Sequence, residues 1–324
     1  MGVAVNTLPG IRRAHAPRDV AALRVYTCLA LGACLTLSAC AARSTVGTDA
    51  GGAASSMSAG GTSTCFPIET LSPADRVVAD RVLLEFADRE GLYTLAGGLK
   101  PVSSDVRDLA FRIAPTLDTS ALQRIEQLRR VSAALTCGEL MMFAQIFTAT
   151  SPGRENDTMR NATMVVVHRA ALRALMARHS PYFSALGVTA SSDPREVVSA
   201  VENAPRAERW RGYGLLFGYP DEAVAFFVRA GIEGDSTKKI VPRDFRRIET
   251  FHKFPESRGG PATVSSFVYA VPKGASDSPG DLQLRAKSAP IYARYIEQRA
   301  RFVKPDSSGA VQLWRAWMAG PSTP

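Results

Sequence analysis

The chain has 324 residues, 46% of them hydrophobic and 21% charged, with 25 Gly and 20 Pro. That balance belongs to a globular protein and excludes a collagen, a coiled coil or a polytopic membrane protein. Lys and Arg total 39 against 30 Asp and Glu, a formal charge of +9, which favours anionic partners such as lipid headgroups or nucleic acid.

In chain order, Arg12, Arg13, Arg18 and Arg24 precede a 13-residue apolar run from Val25 to Leu37, and Leu37-Ser38-Ala39-Cys40 closes it with small residues before a cysteine. This is the layout of an export signal, and the run is shorter than the roughly 20 residues a membrane-crossing helix needs. The segment resembles the precursor of a bacterial lipoprotein, whose lipobox sets Leu and two small residues before the Cys that is acylated and becomes the new N-terminus. The resemblance covers residues 1–40, and it implies a diacylglycerol thioether on Cys40. Two or three acyl chains, at about 0.8 kcal/mol per buried methylene, hold a protein on a membrane far longer than one chain does. Ala41 follows the cysteine, whereas in such lipoproteins Asp there signals inner-membrane retention. The implied address is therefore the periplasmic face of an outer membrane rather than the inner membrane.

The stretch from Ala41 to Thr64 is built from Ala, Gly, Ser and Thr with almost no large apolar side chain, so it cannot offset its conformational entropy and reads as a disordered tether. Its reach is roughly 25–30 Å by random-coil scaling. The expected organisation is a signal peptide at 1–39, the lipidated Cys40 with its tether to residue 64, and one globular domain over 65–324.

Inside that domain, Ser72-Pro73-Ala74-Asp75 opens a helix running to about Glu90, with Val77, Val78, Val82, Phe86 and Ala87 at helical spacing. Asp118 or Thr119 opens a second, to about Leu135. Leu140 to Phe147 and Thr163 to Val167 read as neighbouring strands, with turn chemistry from Ser151 to Asp157 between them. Helices follow over Leu172 to Arg178 and Glu196 to Val201. Tyr213 to Phe217 reads as a short strand, which Gly218-Tyr219-Pro220 turns into a helix from Asp221 to Arg229. Phe245 to Phe254 and Val264 to Val271 read as strands, and Ile291 to Phe302 as a long helix. Strands and helices mix without strict alternation, so the fold class is α+β or mixed α/β.

Of five cysteines, Cys28 and Cys34 leave with the signal and Cys40 is acylated, so Cys65 and Cys137 remain in an oxidising space where two thiols commonly pair. A Cys65–Cys137 disulfide is the expectation; a buried free Cys137 with an exposed Cys65 is the alternative. The mature chain carries 35 basic and 29 acidic residues, and Arg206 to Lys304 alone holds 18 against 11. Basic residues cluster at Arg206, Arg209 and Arg211; at Lys238, Lys239, Arg243, Arg246 and Arg247; and at Arg285, Lys287, Arg294, Arg299 and Arg301. A solvated face is the plain reading of such runs. The sharper one is a patch leaning on anionic lipid or polysaccharide, where each cation adds about 1 kcal/mol. Nucleic acid is no partner in the expected compartment.

No H-E-x-x-H, G-x-S-x-G, Walker loop or C-x-x-C occurs, so no cofactor or metal is expected. His168 and His179 are 11 residues apart, about 16 Å along a helix and too far to share a metal; His252 falls on an expected strand. Ser236 and Lys239 match S-x-x-K without its companion segments, and Tyr269 and Lys273 have Y-x-x-x-K spacing that Pro272 interrupts.

Two glycine segments stand out, Thr94-Leu95-Ala96-Gly97-Gly98-Leu99-Lys100-Pro101 and Gly214-Leu215-Leu216-Phe217-Gly218-Tyr219-Pro220. Together they are similar to an uncharacterised bacterial family with T-L-A-G-x-K-P near its start and G-x-F-L-G-Y-P later, although Arg211-Gly212 stands where that family has His-Glu. Structural turns are one reading. A pocket rim lined by Lys100, Arg211 and Tyr219 is the other. Three functions follow: a non-catalytic lipoprotein binding an unknown envelope partner, a periplasmic enzyme, perhaps a hydrolase, with a site assembled around His252 or His168, or a module holding a small ligand near the glycine loops.

Overall fold

The computed structural model describes residues 65–151, 154–248, 267–304 and 308–320. The expected signal segment 1–39, Cys40, the expected tether to residue 64 and residues 249–266 with His252 lie outside the described residues. The fold is α+β.

A 3-10 turn at Ile68–Thr70 leads into α1 (Pro73–Ala87), where the Ser72 hydroxyl accepts a hydrogen bond from the Asp75 N–H at 3.2 Å and Pro73 takes the first helical position. The short α2 (Leu92–Leu95) and the strand β1 (Val102–Arg112) follow. α3 (Thr119–Ala134) begins at Asp118, whose carboxylate accepts from the Ala121 N–H at 3.0 Å. β2 (Leu140–Ser151) and β3 (Arg154–His168) form a hairpin, and β1 pairs with the free side of β3, giving an antiparallel sheet in the order β1-β3-β2. The strands reach further into 151–157 than its composition suggests. Ser151 pairs with Arg154 and Thr150 with Glu155, so 154–157 continue the strand because cross-strand pairing outweighs their turn propensity.

Helices cover both faces of this sheet. Leu140, Met142, Met164 and Val166 point into one core with Val82, Phe86 and Trp314, while Met141, Phe143, Val165 and Val167 point into a second with Leu172, Val197 and Leu216. Alternate residues of a strand face opposite ways, so the unbroken apolar run Met164 to Val167 marks a strand buried on both sides. The second face is built from α4 (Arg169–Arg178), α5 (Ser180–Ala185), α6 (Pro194–Glu202), α7 (Arg206–Leu216) and α8 (Asp221–Thr237). A two-stranded ribbon, β4 (Arg243–Arg247) with β5 (Val268–Pro272), lies against α8, and α9 (Pro279–Phe302) and α10 (Ala310–Met318) complete the first core. Among the described residues no helix is long and apolar enough to cross a membrane.

Three elements differ from the sequence reading. Residues 213–216 are helical, not a strand, because Trp210, Tyr213 and Phe217 belong to one helical stripe and Gly214 lets α7 close on α8. A Cβ at Gly214 would lie 2.8 Å from a Val224 methyl. α9 starts at Pro279, twelve residues before the expected start at Ile291, held by a capping box in which Ser278 and Asp281 bond each other's backbone N–H. The sequence reading assigns neither β1 nor α10; β1 is interrupted by two register shifts, which break its alternation, whereas α10 does bury Ala310, Leu313, Trp314 and Trp317 at helical spacing.

Cys65 and Cys137 are disulfide-bonded, across 72 residues of chain.

Candidate functional site

Beyond the second core, the same sheet face opens into a cavity of about 740 Å³, within the range of small-molecule sites. Its sheet wall holds the cross-strand row Ala110, Asn161 and Phe147, which sit opposite one another in the register of β1, β3 and β2, together with Ser104 and Thr163. Its other walls come from the end of α6, from α7 and α8, and from the β4–β5 ribbon. Eight of its 18 lining residues are aromatic, against 8% of the chain, so the rings are concentrated here and not scattered. Trp210 meets Phe227 edge-on at 5.9 Å, Tyr213 stacks on Phe217 at 5.5 Å, and Tyr219 bridges Phe217 and Tyr269 at 6.0 and 5.4 Å. Phe245 completes the wall from β4 and is 60% exposed, which places it at the mouth.

Polar groups in the wall are few and mostly engaged. The Tyr213 hydroxyl donates to Glu202 Oε2 at 2.8 Å, and Thr163 Oγ1 donates to the Val106 carbonyl at 3.1 Å. The Tyr269 hydroxyl donates to Asp281, and burial, reinforced by that carboxylate, pushes its pKa well above the ordinary phenol value. It is therefore a fixed donor with no proton to release near neutral pH. The wall can hold apolar matter by burial and ring contacts.

The two glycine segments meet behind this wall. Tyr219 N–H bonds the Gly214 carbonyl and Gly218 N–H the Leu215 carbonyl, a Schellman close to α7. Gly218 has φ +71°, and a Cβ there would stand 2.9 Å from the Leu99 carbonyl oxygen. Lys100 follows, 1% exposed, ion-paired with Glu90 and with its Nζ 5.1 Å from the Phe217 ring, 5.7 Å from Tyr219 and 4.9 Å from Phe267. The fold thus brings Lys100 and Tyr219 together, but only Tyr219 lines the cavity; Lys100 stands sealed behind the rings. Arg211 does not join them. It lies on the outer side of α7, half-exposed, 3.6 Å from Glu208.

The histidines are apart from the cavity. His168 ends β3 and caps α4, its Nδ1 accepting from the Ala171 N–H at 3.3 Å, and desolvation holds its pKa below the usual imidazole value. His179 closes the other end of α4, 3.4 Å from Asp221. Among the described residues no group of three or more His, Cys, Asp or Glu is placed to hold a metal. Ser236 and Lys239 lie exposed at the end of α8, with the Ser236 hydroxyl donating to the Glu233 carbonyl. Lys273 pairs with Asp244 at 3.1 Å while Tyr269 serves Asp281, so neither spaced pair forms a site.

Many of the clustered cations are paired with carboxylates, some of them buried. Arg299 grips Asp88 with two bonds of 2.7 and 3.0 Å, Arg246 lies between Asp277 and Asp281 at 3.1 and 3.4 Å, and Arg206 reaches Asp235 at 3.1 Å. Lys238, Lys239 and Arg247 remain exposed.

Sequence reasoning missed the aromatic wall. Its signal was Trp210, Tyr213 and Phe217 at i, i+3 and i+7, obscured by reading 213–217 as a strand. A second hollow of about 770 Å³ adjoins the disulfide, His168 and Arg169. Comparison with known proteins finds no matching family model, no matching curated protein and no matching solved structure.

Proposed function

We propose that the chain is an envelope lipoprotein, tethered through acylated Cys40 to the periplasmic face of an outer membrane, whose domain is a non-catalytic binding module for an apolar ligand. The observation that carries the binding half is the ring-lined cavity of about 740 Å³ with its engaged polar groups. The Cys65–Cys137 disulfide supports an oxidising compartment, and the Leu37-to-Cys40 segment supports the anchor. A hydrolase reading draws no support from His168, whose Nδ1 is occupied in capping α4.

The test uses Trp210 as a built-in reporter, since Trp314 and Trp317 belong to the first core. The full chain in neutral phospholipid vesicles is titrated with a brominated long-chain alcohol, whose bromine quenches indole on contact. Saturable quenching that Trp210→Phe abolishes is expected; quenching indifferent to that substitution overturns the cavity as a ligand site. Cys40→Ser should release the chain from membranes or stall its maturation, and unchanged membrane fractionation would overturn the anchor.

A further inference from the structure

The mouth of the cavity has a charge that its interior lacks. In β4 the side chains alternate between faces, and Phe245, which lines the cavity opposite Ala270 of β5, shares its face with Arg243 and Arg247. Arg247 is exposed and lies across from Val268, another lining residue; Arg243 bonds the Val241 carbonyl at 3.1 Å through Nε. Among the described residues neither guanidinium meets a carboxylate, unlike Arg246 on the opposite face of the strand, which is held by Asp277 and Asp281. The one acid in the wall, Glu202, comes from α6 and already accepts the Tyr213 hydroxyl, with Arg209 at 4.0 Å. Rings inside, two guanidiniums without a carboxylate partner among the described residues beside the aromatic residue at the opening, and an occupied acid on another element form an oriented site, apolar within and cationic at the rim.

We propose that the ligand is a single-chain amphipathic anion, its alkyl chain among the rings and its carboxylate or phosphate head against Arg243 and Arg247. This rests on the binding-module reading and adds the head group to it. Guanidinium pairs with either oxyanion through fork-like N–H donors, so the rim selects charge and the cavity selects the chain. Arginines set on a strand beside exposed Phe245 also give the charged head a place at the water boundary, where it keeps part of its hydration.

Brominated hexadecanoate, brominated hexadecyl phosphate and the brominated alcohol are compared by Trp210 quenching on the full chain in neutral vesicles. At least one anion is expected to bind about tenfold more tightly than the alcohol, the scale of one charge-assisted hydrogen bond, and the tighter of the two identifies the head. Arg243→Gln with Arg247→Gln should remove that advantage while leaving alcohol binding unchanged. Equal binding of alcohol and anions, or an anion preference that survives the double substitution, overturns the head-group assignment and leaves the cavity reading intact. Loss of Trp210-dependent quenching for all three probes overturns both.

Discussion

At the scale of single residues, the molecule places its most conspicuous side chains where they are structural. Lys100 is enclosed by Phe217, Tyr219 and Phe267 and paired with Glu90, whose side chain is still 23% exposed. Removing one member of a fully buried ion pair costs about 3–5 kcal/mol; because Glu90 retains contact with water, Lys100→Met should cost about 2–3 kcal/mol. Urea unfolding measures the loss, and Trp210 quenching by the brominated alcohol should persist in the folded variant, since Lys100 does not line the cavity. His168 gives a pH dependence. Its folded pKa lies below the ordinary imidazole value, chiefly through desolvation, so the folded state favours neutral imidazole. Its contribution is present above about pH 6.5 and is lost as pH falls through the lower folded value. His168→Asn keeps a capping side chain and should flatten that part of the acid limb. An unfolding midpoint whose drop between about pH 7 and pH 5 equals that of wild type would count against this account.

At the scale of elements, caps and two-sided strands were readable and short apolar runs were not. Ser72-Pro73 and Asp118 start helices because their side chains and ring geometry satisfy backbone donors locally, which needs no knowledge of the fold. Met164 to Val167 likewise reads as a strand whatever covers it. The run Tyr213 to Phe217 is different: five residues rich in apolar side chains fit a strand or a buried helix turn equally, and the choice was made by Gly214 approaching Val224 on α8. Pro290 illustrates the same limit. A proline usually interrupts a helix, yet the Ser278 capping box and the burial of Tyr292 and Tyr295 carry α9 through it. β1 escaped notice because its two register shifts break the alternation by which a strand is recognised in sequence.

At the scale of the whole molecule, the disulfide ties the first described residue of the domain to the turn between α3 and β2. Closing a loop of 72 residues contributes about 4 kcal/mol in the chain-entropy account. Cys137→Ser should lower the unfolding free energy by that order under non-reducing conditions, and dithiothreitol should produce a like drop in wild type but none in the variant. A variant as stable as wild type would remove this role. The pairing itself was legible from a count, because two cysteines were left once the three in the expected signal and lipobox, Cys28, Cys34 and Cys40, were set aside. The basic surplus was legible as a number but not as a surface: Arg246 and Arg299 proved to neutralise buried or half-buried carboxylates, while Arg243 and Arg247 share a strand face with Phe245. Cap chemistry, apolar periodicity and cysteine number act over a few residues or over composition, so the sequence by itself determined the α+β class, most helix starts and the disulfide. The cavity joins residues from β1 to β5, more than 160 positions apart. Only tertiary packing decided that their rings would face one another, because no local rule relates side chains brought together by a sheet and four separate elements around it.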